Sequence, residues 1–318
     1  MQTLIYHYGA LGDFITILPA IKTWRSFHAT TVTLLGKPSF GRLAQQAGYI
    51  DSIIDATSKE SVYLFCIDGN PTKLRNFFIP FDALLIFATD DAPIVVNARK
   101  YSTATLFSQP PFPDTRIPII DYHLSLLSSA SPSSISTIPD ITFFKKSDTS
   151  PLPAITSGIS STIVLHPGSG SDRKNWPFNN FLQVAELLRK KNYAIVWLLG
   201  PAEHHLKTPE QDTTFIDLSL IECVNVLSHC TVYIGNDSGI THLAAAAGCN
   251  VIALFGPSDP FVWRPVGSGT VKVLYQQCEC SPCHTNNSKP LPCDRSCLNT
   301  ILPESVIASI EEIIESTC

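Results

Sequence analysis

Two aspartates sit where this 318-residue chain gathers the most chemistry into the fewest residues. The first is Asp13, in Gly9-Ala10-Leu11-Gly12-Asp13; the second is Asp237, in Gly235-Asn236-Asp237-Ser238-Gly239-Ile240-Thr241-His242. Each stretch follows an apolar strand-like run and opens a helix-like run, so each collects backbone N–H groups that no helical carbonyl satisfies. One turn could offer a general base to a hydroxyl, and the other could hold an anionic, phosphorylated ligand.

Each residue has a plainer reading beside the chemical one. Asp13 is either a base or an N-cap for the helix that follows; Asp237 is either a ligand to a sugar hydroxyl or another N-cap. His242, one turn into its helix, either donates to a phosphate oxygen or is a satisfied core histidine. A third segment, His166 to Pro177, leaves a strand with Gly168 and Gly170 for close approach, the Ser169 and Ser171 hydroxyls, and the cations Arg173 and Lys174. It matches neither a Walker loop nor a dinucleotide fingerprint, and its plain alternative is a capped, exposed loop. Gly200-Pro201-Ala202-Glu203 ends another strand, where Glu203 either accepts ribose hydroxyls or is a loop glutamate.

The elements that must carry these residues alternate strand and helix. Strands are expected at Thr3–Tyr8, Thr31–Gly36, Ser52–Ala56 and Ala83–Ala88, and a further short apolar run is Ile94–Asn97; helices are expected at Phe14–Phe27, where Pro19 should kink the ladder, and at Ser39–Ala47. The second half repeats the pattern. Strands are expected at Ile163–Leu165, Ala194–Leu199, Val232–Ile234 and Val251–Phe255, with helices at Phe178–Lys191, Leu220–Ser228 and Ile240–Ala247, the last stopped by Gly248. Pro303-Glu304 opens a final helix with Ile307, Ile310 and Ile314 on one face. This alternation predicts an α/β protein with two doubly wound parallel sheets, ligands lying at the carboxyl ends of the strands. Between Ser128 and Thr162 the composition turns to Ser, Thr and Pro, the expected domain boundary, with a short strand at Ile141–Phe144 inside it.

Composition narrows the function. Charged residues are 15% and hydrophobic residues 44%, which suits a buried globular chain. No apolar run reaches the roughly 20 residues of a membrane span, and Met1-Gln2-Thr3-Leu4-Ile5-Tyr6 lacks a basic leader, so a cytoplasmic protein is expected. Residues 1–155 carry 12 Lys/Arg against 12 Asp/Glu, so the net charge of −5 arises in the remainder. Nothing in this balance favours nucleic acid.

The stretches together resemble glycosyltransferase family 9, the heptosyltransferases of lipopolysaccharide inner-core assembly. The resemblance runs through Gly12-Asp13 with Leu18-Pro19-Ala20, His166-Pro167-Gly168 with Lys174-x-Trp176-Pro177, and Gly200-Pro201-Ala202-Glu203. It continues through Gly235 to His242 and Phe255-Gly256-Pro257-Ser258-Asp259-Pro260. It implies a GT-B fold: two Rossmann-like domains facing across a cleft, with residues 1–155 binding acceptor and 156–302 binding nucleotide sugar. A terminal helix, 303–318, would pack back toward the first domain. It further implies Asp13 as the base and Lys174 on the donor phosphate or sugar. Ser169 and Gly170 would touch the pyrophosphate, Glu203 the ribose and Leu218 the adenine, while Asp237, Ser238, Gly239 and His242 complete the donor site.

The implied activity is inverting transfer of a heptose from ADP-heptose to an inner-core hydroxyl, a scheme that calls for no metal. The implied setting is the cytoplasmic face of the inner membrane. The alternatives are another sugar nucleotide, another glycan acceptor, or a non-catalytic sugar-nucleotide-binding protein. A polyanionic acceptor would favour a basic first half, and this one is neutral. Of ten cysteines, Cys66, Cys223, Cys230 and Cys249 sit singly in apolar contexts and read as core residues. Cys280, Cys283, Cys293 and Cys297 are spaced either as a structural zinc or iron tetrathiolate or as reduced packing cysteines in a surface excursion.

Overall fold

The computed structural model describes residues 1–67, 69–129, 161–283 and 295–317. The chain separates into two compact units, Met1–Asp140 and Ile141–Cys318. The expected strand at Ile141–Phe144 and most of the Ser/Pro-rich stretch lie outside the described residues.

The first unit is built on strands β1 (Gln2–His7), β2 (Thr31–Gly36), β3 (Ser52–Asp55), β4 (Ala83–Phe87) and β5 (Thr105–Gln109). They form one parallel sheet in the order β3-β2-β1-β4-β5. The chain winds outward through β3 and then returns to β4, so the order reverses between β1 and β4. That reversal leaves a crevice at the carboxyl ends of those two strands. The helix Leu11–Phe27 runs through Pro19 and buries Phe14 to Ile21 together with Trp24, whose indole N–H donates to Thr3 Oγ1 at 3.0 Å.

Two readings of this unit need correction. Ile94–Asn97 is not a strand but part of the helix Pro93–Tyr101. Pro93 supplies a first-turn residue that needs no N–H partner, and Ile94, Val95 and Ala98 bury one helical face, so tertiary packing overrides the β-branched run. Cys66, expected in the core, is exposed.

The second unit carries β6 (Thr162–His166), β7 (Ala194–Leu199), β8 (Thr213–Ile216), β9 (Val232–Asn236), β10 (Asn250–Phe255) and β11 (Val271–Tyr275). The order is β11-β10-β9-β6-β7-β8, again parallel, with the reversal between β6 and β9. β8 and β11 escape the sequence pattern because both are edge strands, only partly buried. The final helix, Pro303–Thr317, buries Val306, Ile307, Ile310 and Ile313 in this unit's own core with Trp176 and Phe181. Each such isoleucine contributes about 1.5–3 kcal/mol.

Candidate functional site

Asp13 stands at the reversal of the first sheet. Ala10 is the N-cap of its helix, so Asp13 is the third helical residue rather than the cap itself. Its Oδ2 reaches back to accept the Ala10 N–H at 3.0 Å, the carboxylate half of a capping box. A Cβ on Gly9 would stand 2.9 Å from both Asp13 Oδ2 and His7 Nε2, so only glycine lets the two side chains close over this turn.

His7 ends β1 and is buried; burial, and then the Lys37 ammonium, push its pKa down to about 3. Its Nδ1 accepts the Gly9 N–H at 3.4 Å. The neutral ring therefore carries its proton on Nε2, the nitrogen that borders the same space as Asp13 Oδ2. A cavity of about 310 Å³ opens here. One wall is Tyr6 to Gly9 with Asp13; the other is Phe87, Ala88 and Thr89 from the end of β4, with Pro111 and Phe112 beside them.

The second unit assembles its charged groups at the equivalent reversal. Lys174 ends a short 3-10 turn, Asp172–Lys174, and its Nζ donates to Asp237 Oδ2 at 2.7 Å. Asp237 is buried but is not an N-cap: Ser238 caps the helix Gly239–Ala246, its Oγ accepting the Thr241 N–H. The carboxylate's partner is thus the ammonium, which accounts for an acid at a helix N-terminus that otherwise favours anions. His242 is buried beside them. Burial, opposed by Asp237 and aided by Lys174, pushes its pKa down to about 4, so near neutral pH it is an uncharged ring able to donate one hydrogen bond.

Glu203 is 6% exposed, which removes the reading as an exposed loop glutamate. Its Oε2 accepts the Gly200 N–H at 2.9 Å, the same back-reach that Asp13 makes. A Cβ on Gly168 would lie 2.2 Å from Glu203 Oε1, so the loop after β6 and the carboxylate after β7 meet only because residue 168 has no side chain. Beside them His166 Nδ1–H donates to the Leu198 carbonyl at 2.9 Å. Burial pushes its pKa below the ordinary range, against the pull of that carbonyl and of Glu203.

The Ser169 hydroxyl donates to the Ser171 carbonyl at 2.7 Å, shaping the loop, while Gly170 is exposed with open space about it. Leu218 is half-buried at the turn before the helix Leu220–Ser228. Four elements of one sheet edge therefore bring Ser169, Lys174, Glu203, Asp237, Ser238 and His242 to a single end of the second unit.

The cysteine set divides. Cys293 lies outside the described residues. Cys278, which the metal reading omits, has its Sγ 3.4 Å from that of Cys280. Burial raises the Cys278 thiol, but hydrogen bonds with Cys280, Ser296 and Cys297 outweigh it and hold the pKa below the usual range. Cys297 packs in the core. Among the described residues no three His, Cys, Asp or Glu side chains are arranged to hold a metal ion.

Sequence reasoning misses three contributors. Asn236, fully buried, donates through Nδ2 to the Pro167 carbonyl at 2.7 Å and accepts the Trp176 N–H at 2.9 Å, tying two loops to the end of β9. An amide immediately before Asp237 at a strand end is the signal that could have found it. His7 and the aromatic wall around it were signalled by Tyr6-His7-Tyr8, three ring side chains at one strand end. The contact between Gly168 and Glu203 has no sequence signal, because 35 residues of chain separate its partners.

A model of glycosyltransferase family 9 (heptosyltransferase) matches residues 137–292. Lipooligosaccharide heptosyltransferase 2 of Haemophilus influenzae is 35% identical over 105 residues, 29% of this chain and 30% of that protein. Lipopolysaccharide heptosyltransferase 3 of Escherichia coli is 25% identical over 48% of this chain and 46% of its own length, so the chain spans at most about half of these relatives.

Solved structures match along the whole chain. A family 9 glycosyl transferase from Veillonella parvula superposes with a TM-score of 0.75 at 17% identity, covering 99% of this chain and 97% of its own. E. coli ADP-heptose lps heptosyltransferase II gives 0.74 at 15% identity, covering 100% and 99%. E. coli heptosyltransferase WaaC with ADP gives 0.69 at 16% identity, covering 98% and 99%. The sheet-edge cluster around Lys174 and Asp237 falls inside the stretch that matches glycosyltransferase family 9, the heptosyltransferases, and the two parallel-sheet units together share the GT-B fold of these solved glycosyltransferases.

Proposed function

We propose that the protein is an inverting glycosyltransferase that moves a heptose from ADP-heptose to a sugar hydroxyl of a lipopolysaccharide inner-core acceptor. The observation that carries this reading is the Lys174–Asp237 pair at the N-terminus of the helix Gly239–Ala246, inside the stretch that the family matches. That end supplies an ammonium, the positive end of a helix dipole and the neutral His242 donor. Such a set suits a diphosphate that gains charge as it leaves. Glu203 lies on the neighbouring strand end, where an acidic group takes ribose hydroxyls. The names of solved relatives that include ADP and ADP-heptose support the same donor.

On this reading Asp13 accepts the proton of the acceptor hydroxyl as its oxygen attacks the anomeric carbon. The bond from that carbon to the diphosphate oxygen breaks in the same step, ADP departs with the electron pair, and the configuration inverts. The working place that goes with this acceptor is the cytoplasmic face of the inner membrane, which fractionation of intact cells tests.

The test is mass spectrometry of products after offering ADP-heptose with a panel of truncated inner-core acceptors, beside calorimetry with ADP, UDP and GDP. A heptose-sized mass gain and a preference for ADP are expected. Tight binding of UDP or GDP in place of ADP would reassign the donor, and ADP binding with neither transfer nor donor hydrolysis would make the chain a binding protein.

A further inference from the structure

The cavity beside Asp13 has a composition that the proposed reaction does not explain. At about 310 Å³ it is in the size range of small-molecule sites. Its aromatic lining is Tyr6, Tyr8, Phe87 and Phe112. Tyr8 and Phe112 remain 48% and 36% exposed, so both offer ring surface that a ligand in the cavity can contact.

Its charge is as distinctive as its shape. Among the lining residues Asp13 is the sole formal charge near neutral pH, since His7 is held neutral. Lys37, whose field reaches His7, lies behind the wall: its Nζ donates to the Gly9 carbonyl at 2.9 Å and sits 5.2 Å from the centre of the Tyr8 ring. Arg25 and Arg99 elsewhere in this unit are paired with Asp51 and Asp90. A phosphate or carboxylate entering the cavity would meet the Asp13 carboxylate at close range and no cation among the lining residues. An uncharged sugar ring would instead lay its C–H faces on the rings and present hydroxyls to Asp13, Thr89 and His7 Nε2–H.

We infer that the acceptor group taken by this cavity is an uncharged sugar ring, with any phosphate or carboxylate of the acceptor held outside it. This rests on Asp13 being the acceptor-side base. The full chain is assayed with ADP-heptose against three acceptors: the methyl glycoside of a heptose, its monophosphate, and the methyl glycoside of an acidic keto-sugar. The neutral glycoside should have the highest kcat/KM, by at least about tenfold. Tyr8→Ala and Phe112→Ala should each raise its KM about three- to tenfold while leaving the KM for ADP-heptose unchanged, and Tyr8→Phe should restore it. Equal or better use of either charged acceptor, or an unchanged KM in both alanine variants, overturns the inference.

If the chain neither binds ADP nor turns over ADP-heptose, the glycosyltransferase reading itself has failed. The cavity is then judged by saturation-transfer NMR with the same three glycosides. Contact from the neutral one alone, lost in Tyr8→Ala, sustains it; contact from a charged one, or from none, overturns it.

Discussion

The two sheet reversals are alike in topology and opposite in construction. In the first unit a single carboxylate lines an aromatic cavity, its Oδ2 on the Ala10 N–H; in the second, a buried carboxylate is already paired with an ammonium and set among buried polar groups. Both Asp13 and Glu203 reach back to the N-cap N–H of the turn they follow. The difference lies in what surrounds them. A diphosphate needs charge organised before it arrives, because reorganising dipoles during reaction is costly. A sugar hydroxyl needs a base and a shaped surface, which on the proposed reading the Asp13 carboxylate and the rings supply. The second site should therefore respond to mutation through binding and stability, and the first through turnover.

The sharpest break of this contrast is Asp13→Ala. Transfer should fall about 10²–10⁴-fold, the usual worth of a general base, while ADP affinity stays near that of the parent. Rapid-quench turnover beside ADP calorimetry reads both, and near-normal transfer would remove the base assignment. Next is Asn236→Ala, which leaves the Trp176 N–H and the Pro167 carbonyl without their side-chain partner. A loss of about 1–3 kcal/mol in urea unfolding is expected, with weakened ADP binding, because the penalty of an unmet buried group is paid in the fold. Unchanged stability would mean that water replaces the amide.

The pH dependence has a fixed sign. His7 and His123 in the first unit, and His242 in the second, are buried with pKa values pushed down to about 3, 3 and 4. Desolvation is the leading cause at each, so the folded state binds fewer protons than the unfolded one. Their contribution is full above the unfolded value of about 6.5 and is lost as pH falls from there toward the folded values, by at most about 1.4 kcal/mol per pH unit for each ring. Among the described residues neither ring nitrogen of His123 has a hydrogen-bond partner, so His123→Phe should flatten the acid limb measured by thermal melts. An unchanged limb would assign the loss to carboxylates.

The smallest effect is expected at Gly168→Ala. The new methyl would overlap Glu203 Oε1, and displacement of that carboxylate should weaken ADP binding severalfold to about tenfold without touching turnover at saturating donor. Unaltered ADP affinity would remove Glu203 from the donor site.

Much of this architecture could be read from the order of residues. Apolar strands alternating with amphipathic helices predict two parallel sheets, and nearly every central strand lies where the pattern puts it, since burial on both faces demands a continuous apolar run. The exceptions have two causes. Edge strands β5, β8 and β11 are only partly buried and lose that signature, while Ile94–Asn97 has it but follows a proline that starts a helix. The motif residues were visible by type and by their place after strands.

Spatial partnership was not visible. Nothing in the sequence pairs Lys174 with Asp237 across 63 residues, sets Gly168 against Glu203, or brings His7 and Asp13 over a glycine. Sequence by itself determined which turns end strands and which small residues they carry, because backbone sterics and burial act locally. Tertiary structure alone decided which charges meet and which rings line a cavity, because these depend on strand order, and strand order is settled by contacts between residues far apart in the chain.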